Sequence, residues 1–292
     1  MGFKTIAQLV GISEEKRTTI SSVVLDHEKE ISGQSTEDLL GKMGKTWQVM
    51  KDSMEKGIEK PQIPMGGLVM GASSKIGAAL KKGRLAGDRL TKTILRSLAV
   101  GEVNASMGLV AAAPTAGACG ILPAVLFTAR EEGGYGDDEI IKSLFTAAGI
   151  GLVIGRNASI SGAEGGCQAE CGTAAAMAAA ALVELGGGSP KEVGEAAALS
   201  IKNVLGLVCD PVAGLVEVPC IKRNAFFALN AWAAAEMALA GIESVIPVDE
   251  VIGAMKEIGE EMPTKLKETS MGGLATTPTG KKIAREQRTG RE

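Results

Sequence analysis

We predict that three of the five cysteines lie in loops, because they stand beside residues that interrupt helices and not inside an apolar helical run. Cys167 follows two glycines, Cys209 precedes an Asp-Pro pair and Cys220 follows a proline. Four thiolates usually close an iron–sulfur cluster, so three would leave one iron with a vacant position. Such an iron is a Lewis acid that can bind a substrate. We therefore predict a metal centre with Cys167, Cys209 and Cys220 as its ligands.

The long separations between these cysteines differ from the tight pairs of zinc ribbons, and by spacing alone each could be a small buried hydrophobic residue. Cys171 lies one helical turn after Cys167, where it could supply a fourth ligand or pack inside a helix. Cys119 stands among small residues, and we predict a packing role for it. An odd number of cysteines without a secretory signal favours metal or redox chemistry over disulfides, and a cytoplasmic location.

Two loops rich in small residues are candidates for substrate binding. The first interrupts an apolar run, and successive backbone N–H groups there could hold a carboxylate. Its candidate residues are Thr115, Ala116, Gly117 and Ala118. A crossing of two helices at small residues is the alternative interpretation of this segment.

The second loop combines two hydroxyls with a cation between glycines, which suits an anionic small molecule. Its candidate residues are Ser73, Ser74 and Lys75. A helix cap followed by an exposed lysine is the alternative. Asn104 and Ser106 lie between apolar segments and could face the same pocket.

The single histidine, His27, is flanked by an aspartate and a glutamate, and we predict that it lies on the surface. Without it no Ser-His-carboxylate triad can be assembled, which argues against hydrolysis of that kind. A general base would then be a carboxylate, a lysine or a residue of another subunit. Lys75 and Glu164 are the candidate catalytic residues of this chain.

The composition restricts the class of protein further. The chain has 292 residues, 45% hydrophobic but only 3% aromatic, so alanine and glycine dominate its apolar content. Its net charge of -3 and pI near 5.5 provide no basic surface for nucleic acid. Proline, glycine or charged residues interrupt every apolar stretch, so we predict buried core helices and no membrane span.

Apolar residues recur at helical spacing and rarely alternate, so we predict an all-α fold whose small-residue loops converge on the metal site. Ser35 should cap a helix that ends at Gly57. Leu, Met and Trp side chains recur along one face of this helix, and we predict that this stripe lies in the core or at a subunit interface. Further helices are predicted over Asp88–Ala99, 137–153, Glu170–Leu185, Ser189 to about Gly206, Asn224–Ala240 and Pro247 to about Gly259. We divide the chain into an N-terminal helical segment (1–60), a helical catalytic domain (61–280) and a basic, solvated tail (281–292).

Four stretches of this sequence together resemble the α chain of the iron–sulfur-dependent bacterial L-serine dehydratases. They are Pro114–Ala124, Glu164–Glu170, Cys209–Cys220 and Arg223–Ala225. The resemblance extends in order over nearly the whole chain, and the pair of cysteines in Cys209–Cys220 is its most specific mark.

The resemblance implies an L-serine ammonia-lyase that yields pyruvate and ammonia, with a [4Fe–4S] cluster on Cys167, Cys209 and Cys220. It also implies a partner, the β chain, which would supply an active-site histidine. In single-chain relatives the β part is fused at the N-terminus, and we expect this chain to lack it. Two positions depart from the family: Ala116 stands where many relatives carry Asn, and Cys171 where other small residues are common.

In the implied reaction the open iron binds the β-hydroxyl of L-serine while a base removes the α-proton. A rival interpretation uses pyridoxal phosphate, with Lys75 as the Schiff base and Gly186–Ser189 around the phosphate, although a helix stop followed by a cap explains that glycine run better. A cysteine desulfidase-like lyase on a related scaffold, a non-catalytic iron–sulfur protein and a structural helical subunit are further alternatives. The sequence does not fix selectivity among serine, threonine and cysteine, since one methyl group contributes only about 1–3 kcal/mol.

Overall fold

The computed structural model describes residues 2–289, and these form an all-α fold, as predicted. The helices are α1 (Ile6–Lys16), α2 (Ile20–Ser32), α3 (Thr36–Glu59), α4 (Ala72–Lys81), α5 (Arg89–Ala105), α6 (Ile121–Gly133), α7 (Asp137–Asn157), α8 (Gly162–Gly165), α9 (Cys167–Leu185), α10 (Pro190–Lys202), α11 (Cys220–Leu239), α12 (Val248–Glu261) and α13 (Pro278–Thr289). Short 3-10 turns cover Ala116–Ala118, Val212–Gly214, Thr264–Leu266 and Gly273–Thr276. Within the described part of the chain, extended pairing is limited to one isolated bridge, between Cys209 and Lys267.

Helix α9 lies at the centre of the molecule. Its alanine-rich sequence is apolar on every side, and such a helix is stable only when other helices surround it. It packs against α6, α7, α10 and α11, and almost all of its residues are buried. The small side chains let these neighbours approach closely, so the core relies on close packing of backbones where aromatic residues are scarce.

The predicted helix starts are confirmed where the sequence carries a cap. The side chains of Ser35, Asp88 and Ser189 each accept a hydrogen bond from a backbone N–H in the first turn of the following helix. At Ser189 the cap is reciprocal, because Glu192 bonds back to the Ser189 backbone. The predicted stripe in α3 is also confirmed as core, since Trp47 and Met50 are buried.

Several predicted helix ends are wrong. Helix α3 continues past Gly57, where it crosses α5 so closely that a methyl group would overlap the Ala99 carbonyl oxygen. Glycine at position 57 therefore allows α3 and α5 to cross at close range, and it does not end the helix. Helix α5 extends six residues beyond the predicted end at Ala99, and α10 ends at Lys202, short of Gly206.

Two further expectations need correction. His27 is buried, 8% exposed, with its ring packed on Phe3 at 4.9 Å between centroids. Residues 281–289, predicted as a solvated tail, belong to α13, and Gln287 there donates to the Gly66 carbonyl oxygen at 2.7 Å. The basic side chains of this helix are exposed as predicted, residues 290–292 lie outside the described part, and the division of the chain at residue 60 stays a prediction.

Within residues 2–289, none of the helices combines the length and the apolar character that crossing a bilayer requires.

Candidate metal and substrate site

Two of the predicted metal ligands are the first residues of long helices. Cys167 begins α9 and Cys220 begins α11. The expectation that both lie in loops is therefore wrong, although in each case the loop ends at the preceding residue. Gly166, at φ 77°, makes the turn into α9, where a side chain would press on the Leu207 carbonyl oxygen. The N-terminus of a helix carries partial positive charge, which favours thiolates at these two positions.

The third predicted ligand, Cys209, lies in the loop between α10 and α11, as predicted. Its backbone N–H donates to Leu266 O at 2.9 Å, and its carbonyl oxygen accepts from Glu268 N at 2.8 Å. These two bonds hold Cys209 against the segment that follows α12. The segment thereby becomes one wall of the site.

Of the three predicted ligands, Cys167 belongs to a group of closely spaced ligand atoms, while Cys209 and Cys220 lie outside that group but near enough for charge on Cys167 to act on their pKa values. Burial raises the pKa of Cys220 to about 12, and charge on Cys167 contributes in the same direction. Burial also raises the pKa of Cys209, again with contributions from Cys167 and Cys220. Cys209 and Cys220 therefore both lie within electrostatic range of Cys167, and joint binding of a cluster by the three cysteines stays a prediction.

Cys167, Glu170 and Cys171 form the tightest group, since their ligand atoms all lie within 4.8 Å of one another. This group could hold a metal ion. The Cys171 thiol donates to the Cys167 sulfur and so lowers the pKa of Cys167, with a further contribution from the Arg223 guanidinium, while burial opposes both. The same hydrogen bond and complete burial raise the pKa of Cys171. Of these two thiols, Cys167 is therefore the one that loses its proton more easily in the metal-free protein.

The first small-residue loop reaches this group through Glu170. Thr115 Oγ1 donates to Glu170 Oε1, and a side chain at Gly117 would overlap the same carboxylate. Burial raises the pKa of Glu170, and the charge of Glu268 adds to the effect although the Thr115 bond opposes it. Ala116 is exposed, so the loop faces both the cysteines and solvent.

Asn224, in the first turn of α11, joins this loop to the cysteine segment. Its Nδ2 donates to Gly117 O at 2.8 Å and to Cys220 O at 3.0 Å, while its Oδ1 accepts from Gly120 N at 2.9 Å. The side chain is buried. One amide thus sets the loop against the helix that carries Cys220.

Sequence reasoning missed two contributors to the site. A methyl carbon added at Gly162 would lie 3.1 Å from Cys209 Sγ, 3.2 Å from Glu268 Oε2 and 3.4 Å from Glu170 Oε2. One thiol and two carboxylates therefore face a space that exists because position 162 has no side chain. Glu268 has φ 61°, an unusual value outside glycine that is found at functional sites. Nothing in the sequence signals this conformation.

The second predicted loop gathers around a different carboxylate. Ser73 is buried at the start of α4, and its hydroxyl donates to Glu102 Oε2 at 2.6 Å. Ser106 Oγ donates to Glu102 O at 2.8 Å, and Lys75 is exposed with its Nζ 3.2 Å from Met70 O. Ser74 and Asn104 are half-buried near the same helix ends. Their roles in substrate binding stay a prediction.

Glu164 lies in α8 and is exposed, accepting a hydrogen bond from Ser159 Oγ. Its role as a base also stays a prediction. Glu170, by contrast, has its carboxylate within 4.8 Å of the sulfurs of Cys167 and Cys171.

An all-α fold with thiols gathered at two helix N-termini matches a known family. The chain belongs to the serine dehydratase alpha chain family, whose model matches residues 15–275. It is 48% identical to the probable L-serine dehydratase alpha chain of Bacillus subtilis, over 97% of this chain and 95% of that protein. It is 43% identical to the L-serine dehydratase alpha chain of Peptoniphilus asaccharolyticus, over 97% of each. With the L-serine dehydratase of Streptomyces coelicolor it shares 40% identity, over 94% of this chain but 60% of that longer protein.

Proposed function

We propose that this chain is the α component of an L-serine ammonia-lyase, which converts L-serine to pyruvate and ammonia. The observation that carries the proposal is the group of Cys167, Glu170 and Cys171, whose ligand atoms lie within 4.8 Å of one another, with Thr115 bonded to Glu170 and the Cys209 sulfur facing Glu170 across Gly162. The relatives named L-serine dehydratase support it, since two of them match this chain over nearly their full length.

The residues present fit a [4Fe–4S] cluster. Soft thiolates are the usual ligands of iron–sulfur clusters, and Cys167, Cys209 and Cys220 would hold it. The helix N-termini before two of these cysteines favour the negative charge of thiolates. When bound through three cysteines, such a cluster supplies a Lewis-acidic iron with an open position for the substrate hydroxyl.

The chain's own groups complement the two charged ends of serine. The backbone of Thr115–Ala118 would hold the substrate carboxylate, since glycine in this turn lets a ligand approach the chain. The carboxylates of Glu170 and Glu268 face the space at Gly162, where they would attract the substrate ammonium group. Thr115 orients Glu170 by donating to its other oxygen.

We assign removal of the α-proton to a histidine of a β chain, with Glu164 as the alternative base. The relatives named as alpha chains support the existence of such a partner. The Streptomyces coelicolor protein, which this chain covers to 60%, has additional length that could play the same part within one chain. The elimination product then hydrolyses to pyruvate and ammonia.

The test is anaerobic purification followed by iron and sulfide assays and a visible spectrum before and after L-serine. We expect a broad iron–sulfur absorption that changes when serine is added. Cys209→Ser should abolish this absorption, whereas Cys119→Ala, a change at a buried cysteine packed with Met54 and Val100, should retain it. A sharp aldimine band would favour the pyridoxal interpretation, and a colourless protein that lacks iron would refute the proposal.

A further inference from the structure

We propose that Arg223 is a positioning residue that assembles the three-cysteine site and supplies its positive charge. This inference rests on the proposed function. It extends that function to a residue that is neither a thiol nor a substrate ligand.

The guanidinium of Arg223 holds the chain on both sides of Cys209. Its Nη1 donates to Val208 O at 2.9 Å, and its Nη2 donates to Asp210 Oδ1 at 2.9 Å. The residues bonded in this way immediately precede and follow the cysteine. A planar, forked donor can grip two acceptors at once in a fixed geometry, which a lysine cannot do.

The same residue connects Cys209 to the other two cysteines. Arg223 lies three residues after Cys220 in α11, so its backbone and that cysteine belong to the same helical turn. The positive charge of Arg223 also contributes to lowering the pKa of Cys167, so the guanidinium lies near the start of α9 as well. One side chain therefore links three segments that are far apart in sequence.

Asp210 extends the link to the segment that carries Glu268. While its Oδ1 accepts from Arg223, its Oδ2 accepts from Leu274 N at 2.8 Å. Asp210 is buried, and Gly273 packs so closely that a methyl group there would overlap its carboxylate. A buried carboxylate bonded at both oxygens defines one position for its neighbours.

The charge of Arg223 has a consequence that packing alone would not have. Its side chain is 17% exposed, so solvent screens it only in part. A cluster gains negative charge when it is reduced, and a nearby cation stabilises that state. Removal of the Arg223 charge should therefore lower the reduction potential of the cluster.

The experiment compares Arg223→Gln and Arg223→Lys with a matched control, Arg96→Gln. Arg96 is a buried arginine that, like the half-buried Arg223, pairs with a carboxylate, but it bonds Thr128 and Glu131 on α6. Three properties are measured on the full-length chain: the affinity of the metal-free protein for Cd²⁺, the iron content after reconstitution, and the reduction potential of the cluster. Cd²⁺ is a probe that prefers thiolates and reports their convergence without any lyase assay.

We expect Arg223→Gln to weaken Cd²⁺ binding at least about tenfold, since two charge-assisted hydrogen bonds are lost, and to lower the iron content. The cluster that does form should have a lower reduction potential. Arg223→Lys should lose Cd²⁺ affinity but retain the potential, because it keeps the charge without the fork. Arg96→Gln should match the wild type in all three measurements.

Wild-type Cd²⁺ affinity and potential in Arg223→Gln would overturn the inference. If that variant does not fold, Asp210→Asn replaces it: loss of Cd²⁺ affinity supports the inference, and unchanged affinity overturns it. Failure of the proposed function has a different signature, namely a wild-type chain that takes up no iron or sulfide although its Cd²⁺ binding still depends on Arg223.

Discussion

The absence of side chains at Gly117 and Gly162 defines the space beside Glu170. A methyl group at either position would meet the carboxylate of Glu170, and at Gly162 it would also press on Cys209 Sγ. Both glycines have ordinary negative φ angles, so backbone conformation is not the reason for glycine there. The close approach of these side chains to the backbone is the reason, and it occurs where the proposed cluster and substrate would meet.

We therefore expect Gly162→Ala to impair function without unfolding the chain. The added carbon would lie 3.1 Å from Cys209 Sγ and 3.2 Å from Glu268 Oε2, so these groups must move. A displacement of about 1 Å in an active site can reduce the rate about 100-fold. The measurements are kcat/KM for L-serine, iron content and Tm.

Gly253→Ala is the matched control for that variant. Gly253 is exposed on α12, and a methyl group there would meet open space. Alanine is favoured over glycine in a helix by about 1 kcal/mol, so this variant should be at least as stable as the wild type with unchanged kinetics. Equal activity in both variants would contradict a functional role for the space at Gly162.

Cys119 provides a pH test that is independent of metal binding. Burial raises its pKa from 9.0 to about 12. Above pH 9 the unfolded chain loses this proton first, so the thiol's contribution to stability is complete below pH 9 and is lost between pH 9 and 12. At about pH 10 the loss should be about 1.4 kcal/mol.

Urea unfolding of the metal-free chain at about pH 7 and about pH 10 checks this expectation. The decrease in the free energy of unfolding between the two pH values should be smaller in Cys119→Ala than in the wild type. Identical decreases would show that Cys119 is not buried as the structure has it.

At the scale of elements, the site depends on how the turn before α6 is held against the start of α11. Asn224 makes this connection, because its buried amide bonds Gly117, Gly120 and Cys220. We expect Asn224→Ala to lower the free energy of unfolding by about 2–4 kcal/mol, since it leaves buried backbone groups without partners. The released turn should also raise the KM for L-serine.

Asn230→Ala is the control on the same helix. Asn230 is half-buried and bonds Ser200 O and Oγ, both at 3.0 Å, in the half of α11 that is remote from Cys220. This variant should lose about 1 kcal/mol of stability with an unchanged KM. A KM that rises equally in both variants would mean that general destabilisation, not the position of the turn, controls substrate binding.

Local signals in the sequence predict most helices but not the contacts among them. Caps such as Ser35 and Ser189 fix helix starts because a side chain bonds the first turn, whatever the tertiary structure. The prediction that Gly57 ends a helix is wrong, since its real role depends on a helix that comes much later in the chain. The spacing rules therefore work within an element and fail where two elements meet.

The same distinction applies to the candidate site. Cys167 and Cys220 can be predicted as site residues from the sequence, because neighbouring glycine and proline residues mark the starts of α9 and α11. Glu268 cannot be predicted as a site residue, because its position depends on a backbone hydrogen bond to Cys209, 59 positions earlier in the sequence. The charged neighbours of His27 predict a surface position, but the packing of Phe3 against it buries the ring.

For the whole molecule, the position of its single histidine limits how the chain can perform acid–base catalysis. His27 lies in α2, which packs on α1, α3 and α7, and its ring faces Phe3. Neither ring nitrogen has a hydrogen-bond partner among residues 2–289, so the ring contributes chiefly packing. A histidine that acts on the substrate in the proposed reaction would therefore be one other than His27.

His27→Leu in the complex with the β chain tests this directly. Leucine fills much of the same apolar space and removes two buried nitrogens that lack partners within the described residues, so stability should be unchanged or higher. If a partner histidine is the base, the pH profile of kcat/KM keeps an acidic limb in the range of histidine, near about 6.5, in both wild type and variant. Loss of that limb in His27→Leu would instead place the essential imidazole in this chain. The acidic limb reports the group that must be deprotonated before it can remove the α-proton. An acidic limb in the pH range of carboxylates that is lost in Glu164→Gln would therefore identify Glu164 as the base.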